Sequence, residues 1–158
     1  MRFLPPLRAR NRELFRGEPA GDTGRAMSQE NVEVVKAFFD AYNARNSEAV
    51  DRLLHPDAEI TTLSARAGLG DHWSQETTKR YFEQLDEAWT DFRIEVEDYR
   101  DLGERVVALG VQRAAGMSSQ IEVASDLAVV FVVRNSQILL LDSYNNWKAA
   151  LEAAGLRE

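Results

Sequence analysis

Hydrophobic positions between Met27 and Leu63 follow first a helical period and then an extended one. Ser28 can cap a helix, and the apolar face of that helix recurs at three- and four-residue spacing: Val32, Val35, Phe38, Phe39 and Tyr42. Asn46 can cap a second, shorter helix after the polar break at residues 43–46. Because proline disfavours the helical conformation of the residue before it, the chain should leave this helix at His55 and continue as a strand over about residues 58–63.

The rest of the chain predicts one more helix on this side, a run of strands and a short final helix. A glycine-containing loop, ARAGLGDHW, follows the first strand and is expected at the rim of a site. After Ser74, an apolar stripe predicts a third helix: Thr78, Tyr81, Phe82, Leu85, Ala88 and Trp89. From Asp91 the period becomes two, and further strands are predicted at residues 105–114, 121–134 and 138–146. A last helix over residues 147–154 should end at Gly155.

Three helices followed by strands with no helices between them indicate an antiparallel sheet covered on one face, which is the α+β class. A curved sheet wrapped over helices leaves a cavity between the two layers. Such cavities are natural sites for small molecules, because ligand pockets are mostly apolar with a few polar groups. The pattern therefore predicts a pocket but not a reaction.

Composition narrows the classes of chemistry. The chain has 158 residues, of which 44% are hydrophobic, so one domain with a sizeable core is expected. It has no cysteine, which excludes disulfides, thiolate nucleophiles and cysteine-ligated zinc, and only two histidines. No apolar run approaches the roughly 20 residues that cross a bilayer, and no signal peptide is recognisable. We therefore expect a soluble, cytoplasmic protein.

The sign of the net charge changes at about Met27. Residues 1–26 carry a net charge of +3 and contain six arginines, whereas the remaining 132 residues carry −10. The composition of residues 1–26 predicts a disordered extension, or an assigned start upstream of a true start at Met27, with the domain spanning residues 27–158. An acidic body repels phosphate backbones, so neither nucleic acid nor a membrane is an expected partner.

Three segments resemble the SnoaL-like branch of the nuclear transport factor 2-like superfamily: MSQENVEVVKAFFDAYNARNSEAVDRLLHPDAEI, FRIEVEDYRDLGERVVALG and SYNNWKAALEAAGL. The resemblance implies a cone-shaped α+β fold, with N-terminal helices packed on a curved antiparallel sheet around a pocket and a short C-terminal helix. It also implies a homodimer through the outer face of the sheet. Members include ketosteroid isomerases, polyketide cyclases, epoxide hydrolases, dehydratases and binding domains without catalysis, so the pocket itself must decide the function.

The resemblance also allows the site positions of ketosteroid isomerases and of cyclases to be compared with the residues of this sequence. Alignment by eye places Phe38, Thr62 and Val129 where an isomerase would carry its oxyanion tyrosine, its aspartate base and its protonated aspartate. None of the three can perform that role, since a phenyl ring donates no hydrogen bond and a threonine is too weakly basic. Asn146 stands where cyclases often carry an aspartate, and an amide cannot accept a proton at physiological pH.

The remaining candidates for proton transfer are Asp126, His72 and Asp142. Asp126 lies in an otherwise apolar strand, either at its exposed entry, which we favour, or in the pocket with a raised pKa. Strand alternation puts Leu139, Leu141, Ser143 and Asn145 on one side, which the resemblance suggests is the pocket side, and Asp142 on the other. No third ligand accompanies the two histidines, so no metal site and no cofactor are expected.

These considerations predict a ligand pocket formed by Phe38, Tyr42, Thr62, His72, Trp73, Val129, Phe131, Leu141, Ser143 and Asn145. Aromatic residues at helical spacing are also explained as plain core, whereas Trp73 lies outside any periodic stripe. The leading hypothesis is a homodimeric protein that binds a small, largely apolar molecule. Two alternatives stay open: a cofactor-independent lyase, isomerase or cyclase that uses pocket acid–base groups, and a dimeric interaction module without a ligand.

Overall fold

The computed structural model describes residues 22–66, 68 and 73–155, which form five α-helices, one 3₁₀ turn and five strands. The helices are α1 (Asp22–Asn43), α2 (Ser47–Leu53), α3 (Leu63–Arg66), α4 (Thr78–Ala88) and α5 (Trp147–Ala153), and the 3₁₀ turn Gln75–Thr77 precedes α4. The strands are β1 (Leu54–Thr61), β2 (Trp89–Leu102), β3 (Arg105–Gly116), β4 (Glu122–Arg134) and β5 (Gln137–Tyr144). This is the α+β class that the sequence predicts. None of the described helices is long and apolar enough to span a membrane.

The first helix begins earlier than the sequence predicts. Helix α1 begins at Asp22, so Ser28 is not its cap, and residues 22–26 of the predicted disordered extension are helical. Good helix formers such as Ala26 and Met27 let the helix continue through Ser28. Residues 1–21 lie outside the described residues. At the second helix the prediction is confirmed, because the Asn46 side chain accepts a hydrogen bond from the Ala49 amide.

Helix α4 ends earlier than its apolar stripe suggests. Trp89 is the first residue of β2 and not the last of the helix. Strand-favouring residues follow it, so pairing with β3 overrides the helical spacing. The indole of Trp89 therefore projects from the sheet and not from a helix.

The five strands form one sheet in the order β1-β5-β4-β3-β2. Strands β2 to β5 pair antiparallel, as predicted, but β1 runs parallel to β5. Strand β1 also starts at Leu54, before the predicted position, and includes Pro56. Proline is tolerated there because β1 is an edge strand, where a missing amide donor breaks no ladder on the open side.

The two faces of the sheet carry separate cores. The concave face packs against α1, α2 and α4 and buries Phe38, Phe82, Val129 and Phe131 among others. The opposite or outer face is partly covered by α5, which packs on Val107, Leu109, Ala128 and Val130. In β5 a register shift at residue 139 places both Ile138 and Leu141 in the concave core, so strict alternation does not hold over residues 138–141 as predicted.

Side chains at the end of α1 fix the free edge of β2 over the concave face. Asn43 donates from Nδ2 to the Ile94 carbonyl at 2.8 Å and accepts from the Ile94 amide at 3.0 Å. Arg45 donates to the Phe92 carbonyl at 2.7 Å and to Asp86 of α4 at 2.9 Å. These contacts satisfy backbone groups of an edge strand and hold the helix layer in register with the sheet.

Candidate functional site

A cavity of about 230 Å³ lies between the helices and the concave face. Its wall is mostly aromatic and aliphatic, with a few uncharged polar groups: Phe38, Phe39, Tyr42, Thr62, Leu63, Ser64, Trp73, Tyr81, Leu85, Trp89, Phe92, Ile94, Gln112, Leu127, Val129, Leu141 and Ser143. No Asp, Glu, His, Lys or Arg occurs in this lining, as far as the described residues go. The site is therefore built for apolar surface with hydrogen bonds from neutral groups.

An aromatic cluster forms the helix side of the wall. The ring of Phe38 contacts those of Phe39, Tyr42, Trp73 and Phe131, with centroid separations between 5.3 and 6.2 Å. Such ring pairs add stabilisation beyond the burial of their area. Phe38 is almost completely buried, so it mainly supports the other rings of the wall and exposes little surface to a ligand.

Trp73 is held in place by two contacts. Its indole stacks on Tyr81 at a centroid distance of 4.3 Å and an interplanar angle of 8°. Its Nε1 donates to the buried Thr78 hydroxyl at 2.9 Å. Because the indole nitrogen is already paired, Trp73 presents only an apolar surface to the cavity.

The hydroxyls of Tyr42 and Tyr81 are hydrogen-bonded to each other at 3.0 Å. Burial raises the pKa of Tyr42 well above its usual value, and the neighbouring Tyr81 raises it further. Burial also raises the pKa of Tyr81, while its hydrogen bond with Tyr42 acts in the opposite direction. Both phenols are consequently protonated at neutral pH. Two phenols carry two hydrogens and their mutual bond uses one, so the second can be donated to a ligand oxygen.

Polar groups on the sheet side are neutral as well. Thr62, between β1 and α3, accepts a hydrogen bond from the Ala65 amide at 3.0 Å, which leaves its own hydrogen for donation. Gln112 of β3 donates to Ser125 at 3.0 Å. Ser143, on β5, is buried at the wall. These groups can orient a ligand by hydrogen bonds, but none can take a proton from carbon at neutral pH.

The structure brings together seven of the ten residues that the sequence places in the pocket: Phe38, Tyr42, Thr62, Trp73, Val129, Leu141 and Ser143. Phe131 is not among the lining residues, because Phe38 and Phe39 cover it and it is fully buried. Asn145 is exposed beyond the end of β5, where the strand alternation that predicted it has stopped. His72 lies outside the described residues.

Neither carboxylate candidate for proton transfer lines the cavity. Asp126 is exposed and pairs in register with Val111, one residue from Leu127, which does line the cavity. Asp142 accepts a hydrogen bond from the Tyr144 hydroxyl at 2.9 Å, and Tyr144 packs with the outer-face core. Strand alternation therefore puts both carboxylates on the outer face. No group of three or more potential metal ligands occurs in the described parts of the chain.

The pocket predicted from the sequence omits two important lining residues, Tyr81 and Trp89. Both could belong to an aromatic box around a flat ligand, but their place on the apolar stripe of the predicted third helix also explains them as plain core. A signal was available for Trp89, since strand-favouring residues follow it directly. The hydroxyl pairing of Tyr42 with Tyr81 joins residues 39 positions apart and leaves no local trace.

Fold and cavity define a cone-shaped α+β domain whose helix layer and curved sheet enclose an apolar site. The model of the SnoaL-like domain matches residues 35–140, and the chain belongs to this family. None of the curated proteins matches the chain.

Solved structures with the same fold share little sequence with this chain. One is a protein of ketosteroid isomerase-like fold from Catenulispora acidiphila DSM 44928 in complex with trimethylamine, at 17% identity and a TM-score of 0.63, covering 79% of this chain and 94% of that one. Another is TerC co-crystallised with polyporic acid, at 16% identity and a TM-score of 0.64, with coverages of 80% and 98%. A third is an LEH-like epoxide hydrolase of M. tuberculosis, at 17% identity and a TM-score of 0.61, with coverages of 79% and 84%. At these identities the similarity shows the fold alone.

Proposed function

We propose that this SnoaL-like protein binds a small, largely apolar molecule of one or two rings that carries a carbonyl or similar hydrogen-bond acceptor. The observation that supports the proposal is the composition of the cavity wall. Its described residues combine a large aromatic and aliphatic surface with neutral hydrogen-bond donors and no charged group. Such a wall favours apolar ligands and penalises a ligand that carries an unpaired charge.

Cavity volume limits the ligand that can be enclosed. A cavity of about 150 Å³ is enough to bind benzene, and typical ligand sites measure roughly 300–1,000 Å³. The observed 230 Å³ lies between these values. One ring, or two small fused rings, would therefore fill the enclosed part of the site.

A hydrogen bond from the tyrosine pair would orient the ligand. Tyr42 and Tyr81 have one hydroxyl hydrogen left after their mutual bond, and both line the cavity. A neutral donor of this kind matches a carbonyl oxygen. Its net contribution is modest, about 0.5–1.5 kcal/mol, so most of the affinity would come from apolar burial.

Acid–base catalysis by a lyase, isomerase or cyclase has less support. It needs a carboxylate or imidazole within hydrogen-bond reach of the substrate, and both Asp126 and Asp142 are on the other face of the sheet. The third candidate, His72, lies outside the described residues. An interaction module without a ligand also has less support. That hypothesis predicts a filled interior and an apolar outer sheet, whereas the described outer face exposes Glu95, Glu122 and Asp126.

The homodimer is part of the same proposal. Exposed charges of both signs alternate across β2, β3 and β4 on the outer face, where Glu95 contacts Arg93 and Arg113. A strip of mixed charges can be self-complementary across a two-fold axis. Sedimentation at low and high salt tests this part, with weaker association expected at high salt.

Calorimetric titration with acetophenone, an aromatic ketone, tests the proposed ligand class. The matched probe is α-methylstyrene, which has the same shape but lacks the carbonyl oxygen. We expect acetophenone to bind about three- to tenfold more tightly, in line with one net neutral hydrogen bond. Removing both hydroxyls together, in the double variant Tyr42→Phe with Tyr81→Phe, should remove most of this preference, whereas the control Tyr99→Phe, a tyrosine outside the cavity lining, should keep it. Absence of saturable acetophenone binding would contradict the proposal.

A further inference from the structure

The large hydrophobic side chains that are exposed in the described chain gather at one corner of the molecule. Trp89 is 37% exposed, Met117 50%, Ile121 66% and Val123 49%. Trp89 and Ile121 are neighbours across the strands, because Trp89 pairs with Gly116 and the Gly116 amide donates to the Ile121 carbonyl at 3.3 Å. The sulfur of Met117 instead accepts from the Thr90 hydroxyl, on the outer face of β2. We call Trp89, Ile121 and Val123 the apolar shelf. A clustered apolar patch, unlike scattered single residues, indicates a contact surface.

The apolar shelf continues the wall of the cavity. In β4, Val123 has the same parity as Leu127 and Val129, which line the cavity, so it is on the concave face. Trp89 belongs to both surfaces, since it lines the cavity and is partly exposed. The charged residues nearby are Arg113 of β3, next to the cavity residue Gln112, and Glu122 of β4, next to Val123. Because adjacent residues of a strand face opposite sides, both lie on the outer face, where they form an ion pair. A ligand could therefore run from the cavity onto the shelf without meeting a charged side chain on that strand pair.

The residues between the cavity and the apolar shelf are polar, but they are hydrogen-bonded to each other. Gln112 of the cavity wall donates to Ser125 across the strand pair at 3.0 Å. Covering two groups that bond each other costs less than covering groups that depend on water. The crossing point is thus compatible with an apolar chain.

The volume of the cavity indicates what would bind on the apolar shelf. The enclosed 230 Å³ is smaller than the roughly 300–1,000 Å³ of typical ligand sites, so a ligand of ordinary size would project from the mouth. We infer that the apolar shelf is a second subsite, which binds an alkyl tail attached to the ring whose acceptor lies in the cavity. This inference rests on the proposed function and adds the ligand class: ring compounds with a hydrophobic side chain.

A series of alkyl phenyl ketones tests the inference: acetophenone, butyrophenone, hexanophenone and octanophenone. All share the phenyl ketone head and differ only in tail length. Each methylene that the shelf covers should lower Kd by roughly two- to fourfold. In the double variant Ile121→Thr with Val123→Thr, we expect this dependence on chain length to flatten while the Kd of acetophenone stays unchanged. Threonine keeps the β-branched shape that suits a strand. The matched control is Val111→Thr, the same change on the outer face, which should keep the dependence.

Three results would overturn the inference while leaving the proposed function in place. One is acetophenone binding with no gain from longer tails, and another is a gain that the double variant retains. The third is a double variant that dissociates a dimer, measured by sedimentation, without altering the dependence on tail length, because the shelf would then be an interface between two copies. If no ketone of the series binds, the proposed function fails and the inference fails with it.

Discussion

The hydroxyl pair of Tyr42 and Tyr81 gives a sharp prediction about stability. Tyr42 is only 3% exposed, so its hydroxyl depends on Tyr81 for a partner, whereas Tyr81 is half-buried at the cavity wall. Tyr81→Phe should therefore leave a buried hydroxyl unpaired and cost about 1–3 kcal/mol of unfolding free energy. Tyr42→Phe leaves the more accessible hydroxyl and should cost less, about 0.5–1.5 kcal/mol.

The double variant separates pairing from packing. With both hydroxyls gone, the two phenylalanine rings keep the shape of the wall and bury no unpaired polar group. Replacing both partners of a hydrogen bond by apolar groups of the same shape can be nearly neutral. We expect the double variant to be more stable than Tyr81→Phe alone, which means a coupling energy of about 1–2 kcal/mol between the two sites.

Urea unfolding at pH 7, followed by far-UV circular dichroism, provides the measurement. The ring contacts of Tyr42 with Phe38 and Phe82 should persist in every variant, so the m-value should not change. Tyr99→Phe is the control, because its hydroxyl belongs to neither the pair nor the cavity lining. If the losses of the single variants simply add in the double variant, the two hydroxyls do not form the buried pair and the donor proposed for the ligand is wrong.

Three further results are expected. Above pH 10, stability should fall more steeply in the wild type than in the double variant, by up to about 1.4 kcal/mol per pH unit for each tyrosine, because burial raises the pKa of Tyr42 and Tyr81 and unfolded tyrosines ionise first; parallel pH profiles from urea titrations would contradict this. Gly110→Ala should cost about 1–3 kcal/mol, measured by urea unfolding, since the added Cβ would clash with the Glu95 carbonyl oxygen of the neighbouring strand; wild-type stability would show that the strands can separate there. Phe131→Leu should lower the melting temperature yet leave the acetophenone Kd unchanged, since Phe131 is behind the wall, and a weakened Kd would place it in the site.

Much of the fold is encoded locally. Period-two alternation from Asp91 onward and the turns between the later strands predict β2 to β5 because each of those strands packs at least one face on a core. Asn46 predicts a helix start because a side-chain cap is a contact over three residues. The strand that pairs with β1 cannot be predicted in this way. Its parallel pairing with β5 joins residues about 80 positions apart, and nothing local specifies it.

The residues of the site also fall into two groups, those that local periodicity places correctly and those that only tertiary packing decides. Residues on a regular strand, such as Leu141 and Ser143, are placed correctly by alternation. Phe131 satisfies the same alternation, yet the rings of α1 cover it, and only the packing of the helix on the sheet decides that. The irregularity at residue 139 interrupts the predicted alternation near the start of β5, because a bulge adds one residue that periodicity does not count.

Two sets of contacts among the described residues support the cavity. Its helix side is supported by ring contacts centred on Phe38, and its open edge by Asn43 and Arg45, which bond the backbone of β2 from outside the cavity lining. Exchange of Thr62, Gln112 or Ser143 in the wall would therefore leave both supports in place. A scaffold held in this way can keep a ligand site while its chemistry changes, which is why its function has to be argued from the wall. Here the described wall has donors and apolar surface, and binding is the activity that those two properties support.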